Sequence, residues 1–220
     1  MKKALPLVCL FALCNLTLLA QTGKGSRFGH TEMSAIHVAP QDGSTGLQTI
    51  FSNLGPPSDP YIGFYWPVDS DDWVGMAFTP TADAHVTQVR VAVEHVSGPK
   101  VIYVSIYSDS GGYPGTLLEG PVVVTKMPKE GSCCDFAVAN FLPLQVYGGQ
   151  PYWVEVTTPL VGPGTNSVSH WHWTYQGTHP PVALDTGTGW IDEPTYQESA
   201  FEVLGTLDEG ICIIDQPCTG

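Results

Sequence analysis

The segment SHWHW at positions 169–173 places two imidazoles and two indoles in strict alternation. In a strand, His170 and His172 would share one face and the indoles the other, because successive side chains point to opposite faces. Such a histidine pair can hold zinc when a third ligand, for instance His179 or Asp185, comes close. We expect the simpler arrangement, in which both tryptophans pack in a core and both histidines face solvent.

Three aspartates, Asp69, Asp71 and Asp72, lie in a segment flanked by Trp66 and Trp73. A hard cation such as calcium needs several oxygen ligands that converge from a loop, and these carboxylates supply part of that set. The spacing of an EF-hand loop with its terminal glutamate is missing. A solvated acidic loop is therefore the expected arrangement, with no resident cofactor and with calcium as the open alternative.

Aromatic residues near predicted loops suggest a ligand-binding surface. The candidates are Trp66, Trp73, Trp190 and Tyr196. Their rings offer broad apolar faces with a polar edge, which suits stacking on sugar rings at the edge of a sandwich. Packing in a core is the alternative role for these rings.

Four cysteines follow the first 20 residues, namely Cys133, Cys134, Cys212 and Cys218. An even number in an exported chain predicts disulfides, for which three connectivities exist. Because disulfide geometry strains the peptide between neighbouring cysteines, we favour two bridges from the adjacent pair to the two C-terminal cysteines. A zinc site is the alternative, although the CxxC spacing common in such sites is missing.

No sequence motif assigns a catalytic residue. The chain lacks the Gly-x-Ser-x-Gly sequence around a serine nucleophile. A glycosidase needs two carboxylates roughly 5–9.5 Å apart, a condition that 21 acidic residues leave open. The glycine-rich run 111–115 lacks the lysine and helix of a phosphate-binding loop and predicts a turn.

The N-terminal residues have the order of a secretory signal. Lys2 and Lys3 precede an apolar stretch that ends near Ala20 and is followed by polar residues, as in exported proteins. We therefore expect a signal peptide over 1–20 and a secreted or periplasmic protein with no membrane insertion after cleavage. A membrane anchor is the alternative, for which the stretch is short.

The expected mature chain is strongly acidic. Without the two leader lysines, six basic residues stand against 21 acidic ones, which gives a net charge of −15. Such a charge disfavours attraction to phosphate backbones and anionic lipids, so nucleic acid is excluded as an expected partner. It also favours solubility.

Short alternating segments dominate the rest of the chain. In 85–96, Val89, Val91 and Val93 fall on one face and Gln88, Arg90 and Glu94 on the other; Ile102, Val104 and Ile106 repeat the pattern in 100–107. Seven further strands are predicted at 48–52, 73–79, 121–126, 134–138, 151–157, 167–175 and 199–204. About nine short strands without a helix predict an all-β fold, an antiparallel jelly-roll-like β-sandwich, with a closed barrel as the alternative. The predicted divisions are a flexible leader at 21–46, the β-sandwich at 47–207 and a cysteine-containing tail at 208–220.

Five segments together resemble the choice-of-anchor R domain, a family of bacterial exported proteins. They are IFSNLG (50–55), VGMAFT (74–79), VSIYSDSGGYPGTLL (104–118), VYGGQPYWV (146–154) and AFEVLG (200–205). The GGYPG turn after the SIYSD strand is the most specific of them. The resemblance covers about residues 48–205 and implies a jelly-roll-like sandwich on a secreted or surface-displayed protein. It implies no activity.

These features favour a non-catalytic binding or structural module, with a glycan or another cell-surface polymer as the leading partner. One alternative is a secreted hydrolase, either zinc-dependent through His170 and His172 or carbohydrate-active through unassigned carboxylates. A purely structural extracellular protein is the other. The sequence does not specify an oligomeric state.

Overall fold

All regular structure in the described part of the protein is β-strand. The computed structural model describes residues 46–159, 166–176, 181–193 and 197–208. Thirteen strands lie in these ranges: β1 (Gln48–Ser52), β2 (Tyr61–Val68), β3 (Trp73–Phe78), β4 (Ala84–Val91), β5 (Val93–Ser97), β6 (Ile102–Asp109), β7 (Pro114–Val124), β8 (Ala137–Val146), β9 (Tyr152–Thr157), β10 (Val168–Thr174), β11 (Val182–Asp185), β12 (Trp190–Asp192) and β13 (Phe201–Leu207). Within those ranges no helix has the length and apolar character needed to cross a bilayer.

The all-β prediction is confirmed, whereas the predicted count of about nine strands is too low. The four additional strands are β2, β5, β11 and β12. β2 contains Gly63 and Pro67, which both weaken a strand pattern. β11 and β12 have four and three residues, too few for alternation to stand out.

The strands form three antiparallel sheets. Their orders are β1-β13-β4-β8 in the four-stranded sheet, β2-β10-β5 in the three-stranded sheet and β12-β11-β3-β9-β6-β7 in the six-stranded sheet. The inward faces of all three contribute to one main hydrophobic core. The outward face of the six-stranded sheet and that of the three-stranded sheet carry most of the polar and aromatic chemistry described below.

The alternation predicted for the two central strands is confirmed. Val89 and Val91 in β4 and Ile102, Val104 and Ile106 in β6 are fully buried. Arg90 lies on the opposite face of β4, where its guanidinium is 2.9 Å from a carboxylate oxygen of Glu202. These strands therefore have the predicted register.

The predicted strand 85–96 is divided between two sheets. β4 pairs with β13 and β8, whereas β5 pairs with β10. At the junction, the N–H of Ala92 donates to Ala200 and its carbonyl accepts from His172. After Ala92 the chain continues in the three-stranded sheet, so the alternation of β4 no longer tells which side chains face solvent. The prediction that Glu94 faces solvent is wrong. Glu94 is only 1% exposed.

The loop between β7 and β8, residues 125–136, carries a disulfide between Cys133 and Cys134. This pairing differs from the expected bridges to Cys212 and Cys218, which both lie outside the described residues. A bond between neighbouring residues closes no long loop, so little chain entropy is lost in forming it. The bond also ties no distant segment to the sandwich.

Candidate functional site

The outward face of the six-stranded sheet is rich in aromatic side chains. We call it the aromatic face, and it comprises Trp73, Tyr103, Tyr107, Trp153 and Trp190. Antiparallel partners lie side by side and point to the same face. Asp185 in β11 pairs with Trp73 in β3 and with Trp190 in β12. A carboxylate therefore stands between two indoles in one row across three strands.

A small second core supports this face. Trp153, Ala77 and Ala183 are buried there, with Tyr107 and Trp190 packed against them. Both rings lie over Gly75, because a Cβ at this position would be in van der Waals contact with Trp190 Cζ3 at 3.4 Å and Trp153 Cε3 at 3.5 Å. The indole N–H of Trp153 also donates to Asp109 Oδ1 at 2.9 Å. The rings of Trp153 and Trp190 are therefore held by the protein itself.

One end of the row opens into a pocket of about 300 Å³, lined by Ser70, Asp71, Trp73, Asp185, Thr186 and Gly187. This volume is at the lower end of the range of roughly 300–1,000 Å³ for small-molecule sites. Asp185 Oδ1 accepts the N–H groups of Gly187 and Gly189 at 2.8 and 3.0 Å. Among the described residues Oδ2 accepts no hydrogen bond, which leaves it available to a hydroxyl donor.

The three aspartates predicted as an acidic loop lie beside this pocket, but one of them has a structural role. Asp69 Oδ1 accepts the N–H groups of Asp71 and Asp72 at 2.8 and 3.1 Å. Burial raises the pKa of Asp72, and the charges of Asp69 and Asp71 add to this shift. Within the ranges that the structure describes, no group of three or more histidine, cysteine, aspartate or glutamate residues is placed to hold a metal ion.

Replacing Asp69 by alanine should lower the free energy of unfolding by about 1 kcal/mol, because two turn N–H groups lose their acceptor. Asp69→Asn is the matched control, since it removes the charge and retains the acceptor oxygen. Urea denaturation of both variants measures the difference. Equal losses in the two variants would assign the role of Asp69 to its charge and contradict this account.

Glu155 lies within the aromatic face, between Gly75 of β3 and Ser105 of β6. It is 4% exposed, and its Oε1 has no hydrogen-bond partner among the described residues. Burial raises its pKa to about 7, with a smaller contribution from the charge of Asp185, while hydrogen bonds from Tyr107 and Ser105 oppose the shift. A largely neutral carboxyl therefore lies beneath the aromatic rings at mildly acidic pH.

The structure brings together only some of the aromatic residues predicted as a sugar platform. Trp73 and Trp190 share the aromatic face. Trp66 belongs to β2 in the three-stranded sheet, is 8% exposed and donates its indole N–H to the Gln197 carbonyl. It therefore has the alternative role, packing in the core. Tyr196 lies outside the described residues.

The prediction that His170 and His172 face solvent is wrong, because both are buried, at 9% and 7% exposure. Their side chains share a face of β10, as expected, and Trp171 is fully buried on the other face. The loop 125–136 covers the histidine side of the three-stranded sheet: Glu130 Oε1 lies 3.0 Å from His170 Nδ1. Of the proposed third zinc ligands, Asp185 belongs to the six-stranded sheet and His179 lies outside the described residues.

Sequence reasoning missed three members of the aromatic face and the carboxyl that lies among them: Tyr103, Tyr107, Trp153 and Glu155. The last two lie in β9, whose six residues are all buried. A glutamate inside such a strand was the available signal, because a buried carboxyl needs partners or a shifted pKa. Tyr103 and Tyr107 alternate with Ser105 on β6, opposite the buried valine and isoleucines.

In comparisons with known proteins, no family model matches this chain and no curated protein matches it.

Proposed function

We propose that this protein is a secreted or periplasmic, non-catalytic β-sandwich module that binds carbohydrate on the aromatic face. A jelly-roll-like connection of the strands and membership of the choice-of-anchor R family are parts of the same proposal. The ligand class is a glycan or another hydroxyl-rich polymer of the cell surface. A purely structural role is the alternative.

The observation that carries the proposal is the row Trp73–Asp185–Trp190 beside a pocket that also contains Asp71. Sugar rings present C–H groups on their faces and hydroxyls around their edges. Indole faces suit the former, and carboxylate oxygens accept hydrogen bonds from the latter. The Cα atoms of the two tryptophans lie two strands apart, roughly 10 Å, and the Trp190 ring reaches back over Gly75 of β3.

The charge and burial of the surrounding residues support the same ligand class. Asp71 and Asp185 in the pocket repel anionic ligands, which favours a neutral sugar over a phosphorylated or sulfated one. Trp73 and Trp190 are half-buried, so they are held firmly and still present part of each ring. A preorganised aromatic surface loses little conformational entropy when a ligand binds.

Trp73→Ala should weaken glycan binding at least tenfold, because stacking on one indole is lost from the pocket. A glycan array with the wild-type protein first identifies a ligand, and isothermal titration calorimetry then compares the variants. Trp73→Phe retains an aromatic ring and should recover part of the affinity. Tyr147→Ala is the control, because Tyr147 is an exposed aromatic residue outside the aromatic face. Thermal melts of each variant check that the fold is intact.

Two results would overturn the proposal. One is that no neutral glycan binds the wild-type protein, and the other is that Trp73→Ala binds as tightly as the wild type. Release of reducing ends from the bound glycan, abolished by Glu155→Gln, would instead favour the carbohydrate-active hydrolase. The observation behind that second candidate is that burial raises the pKa of Glu155 to about 7 and that the charge of Asp185 adds to the shift, since many glycosidases use one carboxyl of raised pKa together with a second carboxylate.

A further inference from the structure

A second pocket lies on the outward face of the three-stranded sheet, where the loop 125–136 covers the two histidines. Its volume is about 550 Å³. The side chains that matter for its chemistry are Asp59, Tyr61, Tyr65, Glu94, Glu130 and His172. We call it the histidine pocket. It belongs to a different sheet from the aromatic face.

Two hydrogen-bond acceptors face each other in this pocket. His172 Nδ1 lies 3.2 Å from the Ile62 carbonyl, and because a carbonyl can only accept, Nδ1 carries the hydrogen. In the neutral ring Nε2 is then an acceptor. It lies 3.2 Å from Glu94 Oε2, without the geometry of a hydrogen bond. A buried pair of acceptors at this distance is too close for another atom between them and calls for a donor beside them.

Glu94 is held in place by the protein and cannot turn away. Its Oε2 accepts the N–H of Gly131 at 2.6 Å, and its Oε1 accepts the hydroxyl of Tyr61 at 3.2 Å. The carboxylate is therefore fixed with one oxygen towards the imidazole. Such a preorganised acceptor pair favours a ligand donor over a rearrangement of the side chain.

The pocket is also negative. Asp59, Glu94 and Glu130 line it, and no lysine or arginine is among its lining residues. Burial lowers the pKa of His170, and the charge of Glu130 opposes this shift. Burial and the charge of Glu94 raise the pKa of Tyr61. Burial is the largest cause of both shifts, and the nearby carboxylates raise the pKa of each group.

Two tyrosine rings form walls of the pocket. Tyr65 is 42% exposed and stacks on the His170 ring, with the planes 9° apart. Tyr61 lies beside the His172 ring at 5.2 Å between centroids. Aromatic faces attract cations through their quadrupoles. The combination of fixed carboxylates and aromatic walls suits a compact organic cation with several N–H donors.

We propose that the histidine pocket binds a primary ammonium group, donating to Glu94 and His172 and paired with Glu130. The ammonium has three donors in a compact tetrahedral arrangement, enough for the two buried acceptors and one exposed carboxylate. The group comes either from a small free amine or from a lysine side chain of a partner.

The test is isothermal titration calorimetry of the full chain at pH 7.5 with three probes: n-butylamine, Nα-acetyl-lysine methylamide and n-butanol. Both amines should bind at one site with a dissociation constant near the millimolar range, and n-butanol should not bind. Tighter binding of the lysine derivative identifies a lysine side chain as the source, and equal binding identifies a free amine. Failure of both amines to bind would overturn the proposal.

Variants locate the site independently of the aromatic face. Glu94→Gln should weaken amine binding at least tenfold, because a hydrogen bond to a charged group is lost. Glu130→Gln should weaken amine binding about fivefold. Because Glu130 is 47% exposed, this variant should fold even if the buried substitution Glu94→Gln does not. Glu119→Gln in β7 removes the same charge elsewhere and should have no effect, as should Trp73→Ala.

Unchanged affinity in both Glu94→Gln and Glu130→Gln would overturn the proposal. So would zinc that is retained at one equivalent through dialysis while neither amine binds, because the pocket would then be a metal site. Loss of glycan binding in Trp73→Ala with amine binding unchanged separates this inference from the proposed carbohydrate function.

Discussion

Replacing Val104 by aspartate should abolish the cooperative folding of the protein. Val104 is fully buried in the centre of β6, between Val122 of β7 and Val156 of β9. The carboxylate of the introduced aspartate would have neither water nor a basic partner in this apolar layer. The expected cost exceeds about 4 kcal/mol, a large part of the 5–15 kcal/mol that keeps a domain folded. Thermal denaturation followed by circular dichroism measures the loss.

Val123→Asp is the matched control, since it makes the same chemical change on the neighbouring strand. Val123 is 60% exposed and pairs with Tyr103 on the outward face. Its carboxylate would remain hydrated, so the change in stability should stay within about 0.5 kcal/mol. A larger loss from Val123→Asp than from Val104→Asp would mean that the register of these strands is shifted by one residue.

The alternation of β4 alone predicts that Arg90→Asp is as harmless as Val123→Asp, but the structure shows that Arg90 has partners. Arg90 pairs with Glu202 at 2.9 Å, and its guanidinium lies 4.6 Å from the centre of the Phe136 ring. An aspartate there would lose both contacts and stand beside a like charge. Sequence alternation identifies Arg90 as outward, but only the structure shows that it has partners on that face.

The parts of the fold that could be predicted are those in which one local pattern fixes the structure. β4 and β6 alternate valine and isoleucine with polar residues over a full strand, and burial of one face follows directly. Glu94 and the histidine pair could not be placed in this way. Whether their side of a strand faces solvent depends on the loop 125–136, which is 30 or more residues away from each along the chain.

The candidate site was predictable only residue by residue. Trp73 and Trp190 could be named as aromatic residues near loops, but their common row depends on the register of β11 between β3 and β12. Asp185 could be named only as a distant zinc ligand, and the structure places it between the two indoles. The pairing of β3 with β11 spans more than 100 residues of chain and leaves no local signature in one sequence.

The stability of the protein should depend on pH through Glu155, and Glu155→Gln should remove that dependence. In the unfolded chain this carboxyl titrates at its ordinary value of 4.5, whereas in the folded protein burial raises its pKa to about 7. Between these values the unfolded state releases the proton and the folded state keeps it. Stability contributed by the protonated carboxyl is therefore complete below pH 4.5 and falls as the pH rises to 7.

The size of the effect follows from the two pKa values. A difference between 4.5 and about 7 corresponds to roughly 3 kcal/mol at 1.36 kcal/mol per pKa unit. Glu155 is 4% exposed, so solvent screening reduces this free energy only slightly. At pH 5 the larger part of this stability is still present, because the carboxyl of the folded wild type is largely neutral, so the wild type and Glu155→Gln should differ less than at pH 8. At pH 8 the variant should be more stable than the wild type by up to about 3 kcal/mol.

Urea denaturation at pH 5 and pH 8 measures the free energy of unfolding of the wild type and of Glu155→Gln. Because both proteins share all other titrating groups, the contributions of those groups cancel in the difference. Asp192→Asn is the control, because Asp192 is an exposed carboxyl in β12 of the same sheet and its removal changes the net charge equally. Its stability relative to the wild type should be nearly the same at both pH values. If Glu155→Gln behaves like Asp192→Asn, Glu155 is ionised in the folded protein at pH 5, and the face around Trp73 and Asp185 carries one more negative charge than its burial implies.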